Sequence, residues 1–159
     1  MEILDEIQDT AILYANILAQ ILKIDVTIVN SRFMRIAGTG RLIREINTDM
    51  SDEGHILKKA MESGKTQIVS EPGQDAICSD CQSRDHCRET FHMSTPIMDR
   101  GRAIGVICFT CFNQKQRSHA LKNQTDGLWF RIRPGKDMKR SRSGSCRVIP
   151  PWRSKQWNS

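Results

Sequence analysis

The segment Ala103-Ile104-Gly105-Val106-Ile107-Cys108-Phe109 is apolar at both odd and even positions. Successive side chains of a strand point to opposite faces, so this run must be covered on both. It predicts a strand in the middle of a sheet with a layer on each side. Its neighbour lies just upstream: residues 91–98 read as a strand, joined to residues 102–112 by the turn Asp99-Arg100-Gly101.

The rest of the chain supplies the layers. Residues 3–22 read as one amphipathic helix, because Ile3/Leu4, Ile7, Ala11, Tyr14, Leu18 and Ile21/Leu22 recur at helical spacing without Gly or Pro. That stripe suits a core contact and also a heptad seam against a partner helix. Residues 25–30 form a β-branched run, Asn30-Ser31-Arg32 suits a tight turn, and residues 33–37 complete a hairpin. Gly38-Thr39-Gly40 reads as a turn, since the rest of a phosphate-loop signature is missing. A second helix is expected from Ser51 as N-cap, with Asp52 and Glu53 in its first turn and Gly64 as its stop. It would bury Ile56, Leu57, Ala60 and Met61 and leave His55 solvated. A short strand at 66–70 and a polar, cysteine-bearing loop at 74–89 follow. This order predicts an α/β (α+β) fold, a central antiparallel sheet flanked by helices.

Charge divides the chain in two. Residues 1–116 hold 13 Lys and Arg against 16 Asp and Glu, whereas residues 117–159 hold 11 against 2. The net charge of +6 therefore gives no basis for nucleic-acid binding by the folded part. The acidic start and the lack of a long apolar stretch predict a cytoplasmic protein with no membrane role. In that compartment the six cysteines point to free thiols, metal ligands or redox chemistry before structural disulfides. The basic tail, residues 117–159, contains Lys139-Arg140-Ser141-Arg142 and all three tryptophans. Its composition predicts disorder, whether as a linker, a nucleic-acid-contacting arm or a non-native continuation of the domain.

Cys78-x2-Cys81-x5-Cys87 is the sharpest chemical signal. Two thiolates two residues apart can hold one ion, and thiolate-rich sets suit zinc or an iron–sulfur cluster. Cys108 is the expected fourth ligand, with Cys111, His86 and His92 as alternatives. The odd spacing of Cys108 and Cys111 on a strand sends them to opposite faces, so both cannot serve one ion. A reversible disulfide in the loop, or inert thiols with Cys108 and Cys111 as small core residues, are the competing readings.

Thr95-Pro96-Ile97-Met98-Asp99-Arg100-Gly101-Arg102-Ala103-Ile104-Gly105-Val106-Ile107 resembles the closing hairpin of GAF domains. With Gly64-Lys65-Thr66-Gln67-Ile68-Val69 and the cysteine-rich insert, residues 1–117 resemble the GAF/PAS-type N-terminal sensor of sigma-54-dependent bacterial transcriptional regulators. The resemblance implies a sensory domain at 1–116 that passes its state to downstream ATPase and DNA-binding domains. No Walker A pattern or helix-turn-helix stands in this sequence. It further implies a homodimer through the N-terminal helix, and a small-molecule cavity between loop 74–89 and strand 91–98 with His92 and Ser94 as polar contacts. The rival is a GAF-type free methionine sulfoxide reductase, which works with cysteines from the same loop. Its acidic substrate-binding segment is not matched by Phe91-His92-Met93-Ser94-Thr95-Pro96, so a sensor and not an enzyme is expected.

Overall fold

The computed structural model describes residues 3–52 and 54–125. Five strands, β1 (Asp25–Asn30), β2 (Arg35–Gly38), β3 (Gln67–Val69), β4 (Phe91–Asp99) and β5 (Arg102–Cys111), form one antiparallel sheet in the order β2-β1-β5-β4-β3. The doubly apolar run is the central strand, as its pattern requires. Arg100 and Gly101 both have positive φ, 48° and 83°, the backbone of a tight turn whose twist matches the strands it joins. The first hairpin begins pairing later than residue 33 because Phe33 sits in the left-handed region at φ 62°. Asn30 organises that corner, its Oδ1 accepting from the Arg32 and Met34 amides at 3.0 Å each.

Helices cover both faces. The expected single N-terminal helix is broken at Ile7 into α1 (Ile3–Glu6) and α2 (Gln8–Leu22). Leu4, Ala11, Ala15 and Leu22 pack on the sheet over Val26, Phe91 and Phe109. A Cβ on Gly105 would lie 2.5 Å from Leu4 Cδ1 and Val29 O, so the glycine lets α1 sit on β5. On the other face α3 (His55–Ser63) lays Leu57 and Ala60 over Val29, Val106 and Cys108.

The start of the second helix is also corrected. The second helix begins at His55 with Gly54 as its N-cap, not at Ser51. The Met50 amide is tied to Phe33 O at 2.8 Å and Asp49 Oδ1 accepts from the Ser51 amide at 2.8 Å, which holds that stretch out of helical geometry. Gly64 does end the helix, at φ 63°. A further helix, α4 (Gln114–Thr125), runs across the position 116 at which the basic tail was set apart. Arg117 donates to the carbonyls of Ser70, at 2.5 Å, and Thr90, and pairs with Glu71 at 2.7 Å. Ala120 is fully buried, and Asn123 Nδ2 donates to Leu22 O at 3.1 Å. The attachment is largely polar, which is why apolar periodicity did not reveal it. The rest of the basic tail, residues 126–159, lies outside the described residues.

Candidate functional site

Loop 74–89 is wound as a series of tight turns. Cys78 N donates to Asp75 O (2.9 Å), Cys81 N to Cys78 O (3.1 Å), Arg84 N to Cys81 O (3.2 Å) and Cys87 N to Arg84 O (3.3 Å). Two short 3-10 turns, 76–78 and 84–86, are formed, with Cys81 between them and Cys87 extended just after the second. Cys78, Cys81 and Cys87 all border one cavity of about 120 Å³. Ile56 and Leu57 of α3, Val69 of β3 and Ile77 give it an apolar lining.

Its polar wall holds His55, Ser83 and an interacting pair, Glu89 and His92. His92 Nδ1 lies 2.9 Å from Glu89 Oε2, and Nε2 lies 2.8 Å from Ser94 Oγ. Ser94 in turn donates to Cys108 Sγ at 3.5 Å. Burial opposes charge on His92, but the Glu89 carboxylate and contacts with Cys108 prevail and raise it to about 10. The ring is thus an imidazolium that donates from both nitrogens. Partial burial raises the Cys87 thiol; the charges of Glu89, Cys78 and Cys81 push the same way, against a hydrogen bond from the Glu89 backbone. Burial, then the charge of Asp25, pushes Cys111 up to about 12.

The structure brings Cys78, Cys81, Cys87 and His92 to one cavity and does not bring Cys108 there. Cys108 is buried behind Ser94 in the apolar cluster under α3, and Cys111 is buried on the opposite face. Among the described residues no three His, Cys, Asp or Glu side chains are already grouped to hold a metal ion. Ser94 is fully buried and reaches the cavity only through His92. His86 is exposed in a 3-10 turn away from the cavity wall, and His55 is half-buried at the cavity instead of solvated. Sequence reasoning missed Glu89; its place three residues before His92 was the available signal. A larger open groove of about 560 Å³ runs beside Arg41, Arg44, Arg88 and Phe112. It gathers neither thiol nor imidazole, so the smaller cavity is the candidate site.

No protein-family model matches the chain. Residues of this chain align at 30% identity over 121 positions, 76% of its length, with a protein of Escherichia coli (strain K12) provisionally named a uric acid sigma-54-dependent transcriptional regulator. The chain spans 20% of that relative's length. Among solved structures, the A. aeolicus nlh2 GAF domain in an inactive state superposes with a TM-score of 0.52 at 14% identity, covering 79% of this chain and 85% of that one. The GAF domain of a phosphoenolpyruvate-protein phosphotransferase from Coxiella burnetii gives 0.55 at 7%, covering 77% and 86%. A type II free methionine-R-sulfoxide reductase from Thermoplasma acidophilum gives 0.53 at 14%, covering 77% and 90%. Identities this low speak to the fold alone.

Proposed function

We propose that this chain, whose fold is that of a GAF domain, is the sensory input module of a sigma-54-dependent transcriptional regulator, working in the cytoplasm as a binding domain and not as an enzyme. The observation that carries the reading is the cavity between α3 and the sheet, where three thiols face an ion-paired histidine. The aligned regulator supports the larger context, in which ATPase and DNA-binding domains would follow this one. No described helix is long and apolar enough to cross a membrane. At about 120 Å³ the cavity is smaller than the roughly 150 Å³ that admits benzene. A purine such as the one in the relative's name would need it to open.

We further propose that the module pairs with a second copy through α1 and α2. Ile3, Ile7, Thr10, Tyr14, Ile17 and Ile21 alternate steps of four and three residues, the spacing of a two-helix seam. Tyr14 and Ile21 are 60% and 59% exposed, so this stripe is a second apolar face beside the core-facing one. α4 lies against α2 and offers the route onward to whatever follows the domain.

Deleting residues 1–125 from the full-length protein should change its ATPase rate several-fold. An unchanged rate would sink the sensory reading. Turnover of methionine-R-sulfoxide with a thiol reductant by the isolated chain would return it to the enzymes. For the pairing, Tyr14→Lys with Ile17→Lys should give a folded monomer by sedimentation, and a variant that stays dimeric would move the interface elsewhere.

A further inference from the structure

Three thiols, not four, line the cavity, and among the described residues they are not already grouped around one point. Cys78 ends one short turn, Cys81 lies between the two and Cys87 follows the second, and all three border the cavity. Cys108 and Cys111 are sealed on opposite faces of the sheet, and His86 is off the cavity wall. Two imidazoles line the cavity: His92 has both ring nitrogens engaged, by Glu89 at 2.9 Å and by Ser94 at 2.8 Å, and His55 stands at the start of α3.

We propose that Cys78, Cys81 and Cys87 form a three-thiolate site for a soft divalent cation of the zinc type, with a fourth coordination position open to the cavity beside His92. Thiolates select such ions, and a tetrahedral ion held by three protein ligands keeps one position for an outside donor. Each thiol releases a proton to solvent as its sulfur binds, so two positive charges meet three negative ones. The sulfurs converge by a displacement of loop 74–89. Its turns are single, and Cys87 is exposed while Cys78 and Cys81 are half-buried, so the movement disrupts no packed core. The Glu89–His92 ion pair lines the cavity beside the open position, so its charge distribution acts on a small molecule with a lone-pair donor atom bound there. Metal binding deepens the sensory reading by naming the class of signal, and rests on that reading only for its purpose.

The test is a cobalt titration of the reduced, intact chain, followed by competition with zinc. Sulfur-to-cobalt charge-transfer absorption of three-thiolate intensity is expected. Cys87→Ser should weaken cobalt binding by about 100-fold or more, while Cys108→Ser leaves it unchanged. His92→Gln should keep cobalt affinity within about threefold but bind azide, the probe of the fourth position, about tenfold more weakly. Absent thiolate bands would overturn the site, as would cobalt affinity lost on Cys108→Ser. Loss of cobalt from a His92→Gln protein that melts normally would make His92 a ligand and close the fourth position, also overturning it. So would bands that azide leaves unmoved. Because Cys87 is exposed, its variant keeps the test decisive even if His92→Gln fails to fold. The titration needs no transcriptional output, so its failure is separable from failure of the ATPase experiment.

Discussion

On the α2 side of the sheet, β4 and β5 present Phe91, Met93, Phe109 and Cys111, all buried beneath a helix of 15 residues. On the α3 side the same two strands present His92, Ser94, Cys108 and Thr110, beneath a helix of 9 residues. One backbone and one alternation thus make two different interiors. Large apolar side chains under a long helix close the first face. The second carries polar groups that must find partners, and its shorter helix leaves a hollow that loop 74–89 borders. Thr27, facing that side across from Cys108, keeps a buried hydroxyl with no partner among the described residues. A closed face holds the fold, and an incompletely satisfied one is where a ligand can add contacts.

The largest test of this contrast is truncation on each side. Phe109→Ala should cost about 3–5 kcal/mol in denaturant unfolding, and Ile77→Ala at the cavity under about 1 kcal/mol. Equal losses would mean the α3 side is as tightly packed as the other.

The next test is pH. His92 is raised from 6.5 to about 10, so between those values the folded chain holds a proton that the unfolded chain has lost. Its stabilising contribution is complete below about 6.5 and disappears as pH rises through about 10. Unfolding free energy measured with a chelator present should fall on the order of 2–4 kcal/mol across that window. The raised Cys87 and Cys111 thiols add to the fall at its upper end. Glu89→Gln should flatten the part due to His92; an unaltered slope would show that Glu89 does not hold the charge.

The smallest expected effect concerns the tie between the two sides. Arg117, on α4, reaches Ser70, Glu71 and Thr90, the ends of the strands that flank the cavity loop. Arg117→Ala should cost about 1–3 kcal/mol in thermal or denaturant melts. No loss would mean that α4 docks through Ala120 and Asn123 without help from Arg117.

Much of this was legible in the residues. The central position of β5 followed from its double apolar pattern, the hairpin turn from Asp99-Arg100-Gly101, and the opposed faces of Cys108 and Cys111 from their odd spacing. The gathering of three cysteines in one loop was visible too, though not the cavity they share. What misled was local plausibility. Ser51 is a good cap in isolation, but backbone pairing between Met50 and Phe33 holds its segment away from helix. The stretch from 117 looked like the start of a tail, because Arg117 and Asn123 attach it through polar bonds that carry no periodic signature.

Pattern along the chain determined the sheet, its central strand and which side chains share a face, because strand and helix periods are properties of the backbone itself. It also supplied three thiols within one loop. Only the tertiary structure decided that Tyr14 and Ile21 stay exposed while Ala11 and Ala15 are buried, since the sheet is wide enough to cover one stripe of α2 and not two. Only it placed Glu89 against His92, and Ser94 between His92 and Cys108. The partners are close in sequence, three and two residues apart on the way into β4 and one hairpin strand away at Cys108, so what packing decides is whether these side chains turn toward one another, and the charge on the histidine depends on that.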